Sequence, residues 1–232
     1  MAPTRSQARS LIMAGMVRLG DQVVAKPGEM LSPDADIQLK VRREYVSRGG
    51  FKLEGALEDF QLDPTGLRVL DVGASTGGFT DCLLKNGAAA VTCVDVGYGV
   101  LDWSLRQDDR VTVIERTNAR YLTPEIAGAD YDLAVVDVSF ISLTLVLPPI
   151  MALLKPGGRV VALCKPQFEA GRGNVGKGGV VRDARVQAET VERVIEFARD
   201  LGFIVDAWRP SKLKGPKGNQ EYFLFMAKPA AG

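Results

Sequence analysis

Leu70-Asp71-Val72-Gly73-Ala74-Ser75-Thr76-Gly77-Gly78-Phe79-Thr80 decides the fold, because an apolar strand here runs into a glycine-rich turn that opens a helix. A strand with so little polar interruption belongs to a parallel sheet covered on both faces, whose ligands sit outside the carboxyl ends of the strands. Asp71 is expected at that end, where a carboxylate can accept from a cationic amine. Gly73, Gly77 and Gly78 withhold the side chains that would keep a ligand off the backbone, and Ala74, Ser75 and Phe79 complete the ligand-facing turn. One strand further on, Val91-Thr92-Cys93-Val94-Asp95 ends in a second carboxylate, suited to the two hydroxyls of a ribose.

Spacing separates two nucleotide readings of this turn. The dinucleotide fingerprint needs a second glycine two places after the first, so that backbone can approach a pyrophosphate; Ser75 occupies that place. A nucleoside without phosphate fits better, and S-adenosylmethionine is the common ligand with an amine, a ribose and no phosphate. Beyond the third strand, Asn118 and Ala119 are placed to meet an adenine edge, with Asn118 serving equally well as a plain turn residue. Tyr98 and Trp103 either stack near the nucleoside or cover the sheet.

Outward from the turn, apolar runs at about 68–72, 91–95, 111–115, 132–137 and 158–164 alternate with helical patterns. A long helix is expected at about 183–201, then strands at about 203–209 and 221–227. The α/β alternation implies a mostly parallel, Rossmann-like sheet. Before it, Arg5 to Ala14 reads as a short helix capped by Thr4 or Ser6, Val17 to Val24 as a hairpin about Gly20-Asp21, and Ile37-Gln38-Leu39 as a further strand. Arg48-Gly49-Gly50 reads as a flexible boundary.

With 232 residues and 46% hydrophobic content, the chain can bury one α/β core and carry a small appendage. The longest apolar stretch, Leu143 to Leu154, is interrupted by Pro148-Pro149 and is short of the roughly 20 residues that span a bilayer. Three cysteines without metal-ligand spacing, and no leader pattern, point to buried thiols in a cytoplasmic protein without a metal. There is no histidine, so proton transfer falls to a carboxylate, lysine, tyrosine or thiol. Net charge is only +1, yet nine Lys/Arg stand against five Asp/Glu through Lys52, and Arg209 to Lys217 holds four basic residues and no acidic ones. Local basic patches on a near-neutral chain suit selective contact with a polyanion.

Polar residues also stand where apolar strands stop. Asp137 ends the fourth strand, Lys165 the fifth, and Asn219-Gln220-Glu221 opens the last. Charged groups at the carboxyl ends of parallel strands face the ligand crevice. The runs Tyr45 to Leu53, Gly73 to Thr80, Asp137 to Ser142, Lys165 to Glu169 and Gly218 to Glu221 together resemble the TlyA family of bacterial ribosomal RNA methyltransferases, across nearly the whole chain. The larger part also resembles the FtsJ-type ribose 2′-O-methyltransferases. That resemblance implies a class I methyltransferase sheet with an antiparallel last strand, and places a lysine, aspartate, lysine, glutamate set on Lys52, Asp137, Lys165 and Glu221. It further implies S-adenosylmethionine-dependent 2′-O-methylation of cytidine in ribosomal RNA or ribosomal subunits. An alpha-L type RNA-binding module is implied over 1–42, with Met1-Ala2-Pro3 standing where relatives carry a first helix. A linker follows at 43–50 and the methyltransferase domain at 51–232.

A ribose hydroxyl is a poor acid, so a base must be set against it. A lysine serves only where desolvation or a neighbouring cation keeps it neutral part of the time. Lys165 is the expected base and Lys52 the expected cation. The loop from Phe168 to Arg182 carries five glycines among its cations and reads as a mobile flap. Arg5, Arg9, Arg18, Arg48, Arg172, Lys177, Arg182, Lys212, Lys214 and Lys217 are the expected phosphate contacts. Three alternatives are a methyltransferase of protein or small molecules, a membrane-active haemolysin and an RNA-binding protein with an inactive methyltransferase fold. The basic flanks oppose the first, the want of a spanning or strongly amphipathic cationic helix the second, and retention of all four polar residues the third.

Overall fold

The computed structural model describes residues 5, 8, 9, 12, 17–20, 22–24, 26–32, 34–39, 45–215 and 217–231. The chain divides into two units, Met1–Glu44 and Tyr45–Gly232. In the first, Arg5, Ala8, Arg9 and Ile12 are helical. Strand β1 (Val17–Leu19) pairs antiparallel with β2 (Gln22–Val23) on one side and β3 (Ile37–Leu39) on the other. The expected caps Thr4 and Ser6, and residues 40–44, lie outside the described residues.

The second unit begins where a flexible boundary was expected, and the structure differs there. Ser47 caps helix α1 (Arg48–Asp59) by accepting from the Gly49 N–H at 3.3 Å, so Arg48-Gly49-Gly50 forms the first helical turn. A side chain on Gly50 would overlap the buried Tyr45 ring, and the Val46 N–H donates to the Asp81 carboxylate at 2.8 Å. Packing, not chain freedom, is what these glycines serve.

Strands β4 (Arg68–Val72), β5 (Ala90–Val94), β6 (Val111–Ile114), β7 (Tyr131–Val136), β8 (Leu154–Cys164), β9 (Ile204–Pro210) and β10 (Tyr222–Ala227) make one seven-stranded sheet in the order β6-β5-β4-β7-β8-β10-β9. The first five pair in parallel, and β10 inserts antiparallel between β8 and β9. Side chains alternate between faces along each strand. Val69, Leu133, Val135, Val161, Leu163 and Phe223 share one core with α1 and with α2 (Gly78–Lys85). Leu70, Val72, Ala134, Val136, Val160 and Leu224 share the other with the longer helices of the opposite face.

Connections account for the remaining differences. Short helices α3 (Trp103–Arg106) and α4 (Pro124–Ala127) flank β6, and between them Asn118 opens a 3-10 turn at Ala119–Tyr121. Helix α5 (Leu143–Leu153) runs through Pro148 and Pro149, at 11 residues. No helix among the described residues is long and apolar enough to cross a membrane. Helix α6 (Pro166–Glu169) follows β8 directly, and α7 (Ala184–Asp200) is capped by Asp183. Tyr98 and Trp103 are exposed rather than sheet-covering, with the Arg116 guanidinium 4.1 Å over the Tyr98 ring. The three cysteines are buried, and no disulfide joins them.

The turn after β4 depends on Gly77, whose φ of 94° is left-handed and whose added Cβ would overlap the Leu105 and Leu101 side chains. Gly77→Ala is expected to lose about 3 kcal/mol of stability through backbone strain and overpacking together. Urea unfolding read by circular dichroism checks this.

Candidate active site

Three adjoining cavities open at the carboxyl edge of the parallel strands, and Asp137 and Ser139 line all three. The first, about 430 Å3, is bounded by Gly73, Asp95, Asn118, Ala119 and Ile141. Asp95 is set firmly, its oxygens accepting from the Ser75 N–H at 2.8 Å and the Gly97 N–H at 2.7 Å. Each carboxylate oxygen keeps further acceptor capacity for a diol. Asn118 turns its Oδ1 back to the Arg120 N–H at 3.0 Å, capping the 3-10 turn while lining the cavity.

The second cavity, about 370 Å3, lies over the glycine turn and the start of α1, with Ser47, Arg48, Gly49, Ala74, Ser75 and Thr76 in its wall. Bare backbone is required at two points. A Cβ on Gly73 would stand 2.7 Å from the Asp137 carbonyl oxygen, and one on Gly78 would overlap the Ser47 hydroxyl. Phe79 lines the same cavity from beneath, almost wholly buried and tilted against Phe223 at 6.2 Å. Gly77 packs away from the cavities, under Leu101 and Leu105.

Asp71 does not reach the cavities. The two-residue period of β4 turns its side chain onto the α2 face, where it is 0% exposed and accepts from the Thr80 hydroxyl at 2.6 Å. Its second oxygen, Oδ1, is buried without a partner among the described residues. Burial, with the Asp137 and Asp95 charges adding, pushes the carboxyl up to about 7 against the pull of Thr80. A neutral carboxyl or a nearby cation would satisfy such a site, which fits a cofactor bearing positive charge close to the turn.

The third cavity, about 500 Å3, brings together Lys52, Asp137, Lys165 and Glu221, with Phe140, Phe168, Lys217 and Asn219 around them. Lys165 Nζ lies 2.6 Å from Asp137 Oδ1 and donates to Ser139 Oγ at 2.9 Å. The approach to Asp137 Oδ1 is an ion pair by distance and lacks hydrogen-bond alignment. Lys52 Nζ donates to Glu221 Oε2 at 2.5 Å, both nearly buried. Lys52, expected as the cation near Lys165, is paired with Glu221, because the antiparallel β10 delivers that carboxylate to the cavity wall.

Ser139, Asn219 and Gly215 also line the third cavity, and residue type alone does not announce Ser139 or Gly215 there. Asn219 is buried, accepting from the Val181 N–H at 3.0 Å and donating to the Gly179 carbonyl at 2.9 Å, so the glycine-rich segment is fastened to the turn before β10. Within that segment, Phe168 and Glu169 are helical, residues 172–174 form a 3-10 turn and Gly176 bridges Val180. A Cβ on Gly215 would stand 2.5 Å from Glu221 Oε1, so only glycine leaves that carboxylate its place.

Of the expected phosphate contacts, Arg48, Lys214 and Lys217 line cavities, and Arg48 Nη2 donates to the Lys214 carbonyl at 3.0 Å. Lys177 and Lys214 are exposed and Arg182 with them. Lys212 does not belong with these, since Glu58 and Asp59 of α1 hold its ammonium at 2.9 and 3.0 Å. Arg5 and Arg9 are exposed, and Arg18 is half-buried with its Nε unpartnered among the described residues. The Arg172 side chain lies outside the described residues.

A parallel sheet with one inserted antiparallel strand, a glycine turn and a carboxylate in the wall of a cavity beside paired lysines defines a Rossmann-like, S-adenosylmethionine-dependent methyltransferase. The FtsJ-like methyltransferase family matches residues 45–228, and the S4 domain matches residues 1–37. The chain belongs to the FtsJ-like methyltransferase family and resembles the TlyA proteins closely. The 16S/23S rRNA (cytidine-2'-O)-methyltransferase TlyA of Mycobacterium tuberculosis is 49% identical over 228 residues, 97% of this chain and 85% of that protein. Hemolysin A of Brachyspira hyodysenteriae is 41% identical over 220 residues, 94% of this chain and 92% of that protein. A solved structure described as a hemolysin from Streptococcus thermophilus superposes with a TM-score of 0.78 at 45% identity, covering 98% of this chain and 84% of that one.

The raised Asp71 carboxyl carries a stability consequence whose sign is fixed. Its folded pKa lies above the unfolded value, so its contribution is complete below pH 4 and is lost as pH rises towards 7 and beyond. Asp71→Asn, which keeps an acceptor for Thr80, is expected to match the wild type near pH 4 and exceed its stability by a few kcal/mol, on the order of 1.4 per pKa unit, at pH 8. Denaturant midpoints of both proteins across that range check it.

Proposed function

We propose that this chain transfers a methyl group from S-adenosylmethionine to the ribose 2′-hydroxyl of a cytidine in ribosomal RNA. The observation that carries the reading is the pair of ammonium–carboxylate contacts, Lys165–Asp137 and Lys52–Glu221, in the wall of a cavity that adjoins the Asp95 cavity. The TlyA relative of Mycobacterium tuberculosis is a methyltransferase of cytidine 2′-oxygens in 16S and 23S rRNA, which supports the same substrate class here.

Asp95 would hold the ribose hydroxyls of the cofactor, Asn118 and Ala119 its adenine edge, and the Gly73–Thr76 backbone its amino-acid end. When bound there, S-adenosylmethionine supplies an activated sulfonium methyl. The protein's own work is to seat the target hydroxyl and receive its proton. Lys165, in its neutral form, takes that proton at Nζ. Ser139 Oγ and Asp137 fix the direction of its lone pair, and Asp137 stabilises the ammonium that results. Lys52 and Glu221 line the same cavity beside them, where the ammonium would donate and the carboxylate accept, orienting the ribose. Alignment of this kind supplies much of the rate when the methyl donor is already reactive.

Phosphates would be met at the cavities by Arg48, Lys214 and Lys217, and beyond them by the exposed Lys177 and Arg182. The first unit adds Arg5, Arg9 and Arg18. Such contacts set register on the RNA without reading its sequence.

Lys165→Ala is expected to reduce methyl transfer to ribosomal subunits at least a thousandfold while the affinity for S-adenosylmethionine stays within about threefold of wild type. The checks are radiolabelled methyl incorporation and calorimetry. Mapping of ribose methylation on the product RNA must find a 2′-O-methylcytidine, and methylation of a base or of protein alone would end the assignment.

A further inference from the structure

We infer that Glu169 is a positioning residue for Lys165, acting as a clamp that holds the Ser139–Leu143 segment against the start of the glycine-rich segment. One Glu169 oxygen accepts from the Ser142 hydroxyl at 2.6 Å and the other from the Leu143 N–H at 2.7 Å. These are the cap hydroxyl and first amide of α5, so the carboxylate also meets the positive end of that helix. Four residues before Glu169, Lys165 is bonded to Ser139 at 2.9 Å and paired with Asp137 at 2.6 Å. Residues 137–143 and 165–169 are therefore joined at both ends.

Phe140 and Phe168 lie between the two joints, with ring centroids 4.8 Å apart. Phe140 has a φ of 64°, a left-handed conformation that a bulky residue keeps only where its surroundings force it, and it is 90% exposed, so burial of its own ring supplies little of that force. The bonds at Ser142 and Leu143 begin two residues further on. Released from them, the strained segment would relax, and Ser139 would leave the position from which it directs Lys165. Burial raises the Glu169 carboxyl above its ordinary range, so the contact is made against a desolvation cost, as a specific positioning device would be. The inference rests on the methyl-transfer reading above.

The test compares Glu169→Ala with Glu169→Gln, whose amide can still accept from Leu143 and meet Ser142. Native-state hydrogen exchange reads the clamp without any substrate. Glu169→Ala should exchange at least tenfold faster across residues 139–143 with β4 and β7 unchanged, while Glu169→Gln stays close to wild type. In methyl transfer to ribosomal subunits, Glu169→Ala should lower kcat at least tenfold, leave the KM for S-adenosylmethionine within twofold and combine less than additively with Ser142→Ala. Unchanged exchange in Glu169→Ala overturns the clamp, as does wild-type kcat in that variant. An equal loss in both variants also overturns it, since charge alone would then be responsible. An inactive wild type with the exchange pattern intact would fault the substrate assignment and leave the clamp standing.

Discussion

Two ammonium–carboxylate pairs, the buried Lys52 with Glu221 and the buried Lys165 with the half-buried Asp137, are the contacts on which the arrangement of this molecule turns. Each buried charge is tolerable because its partner is there. Removing one member of such a pair leaves an uncompensated ion, at a cost of about 3–5 kcal/mol. The four residues come from α1, the loop after β7, the end of β8 and the residue before β10, so the pairs join distant parts of the chain at one edge of the sheet. The antiparallel β10 is what makes this possible. A parallel strand in its place would bring its carboxyl end to the site, whereas β10 brings its amino end, and the Tyr222 to Cys164 register sets Glu221 beside Lys165. Gly215, by leaving the Glu221 carboxylate room, is part of the same constraint.

A second set of contacts carries Lys52 to that edge. Helix α1 precedes the sheet in sequence and must be held over the glycine turn for its fifth residue to reach Glu221. Ser47 does this from two sides, capping α1 and standing where a side chain on Gly78 would have to be. Asp81 fixes the approach by taking the Val46 N–H and the Lys85 ammonium at 3.0 Å. The glycine turn and Lys52 thereby share a support, so a disturbance of residues 45–50 reaches both.

Much of this was legible in the residues themselves. Seven strands and their order of appearance followed from apolar runs, since strands covered on both faces are continuous in hydrophobicity. Asp95, Asp137 and Lys165 were legible because a polar residue ending an apolar strand has one place to be. Lys52 was not: nothing in its surroundings distinguishes it from a solvated helix residue, and it entered through likeness to a family. Asp71 shows the limit of reasoning from strand ends alone, because the two-residue period turns it under α2, and the same periodicity could have said so. Glu169, Ser139 and Asn219 act through hydrogen bonds to backbone or to another side chain across 26 or more residues of sequence, a kind of relation that local pattern does not record.

The pairing of the lysines also divides the work of the positive charges. Lys52 and Lys165, held by carboxylates, exert little field beyond the cavity, and Lys212 is likewise spent on Glu58 and Asp59. Lys214 and Lys217 line the cavities with no carboxylate partner among the described residues, and Arg48 stands with them. Attraction of a polyanion therefore belongs to these cations, where counterion release makes it salt-dependent, while the proposed chemistry would proceed among charges that cancel. A near-neutral interior has a further consequence for the proposed base. A lysine facing only cations would be neutral but would repel nothing useful into place, and one facing only carboxylates would hold its proton. In the proposed reaction Lys165, set between an acidic partner and a hydroxyl, would have its direction fixed by Ser139 and its product ion stabilised by Asp137, giving a proton from the ribose one short path and a stable destination.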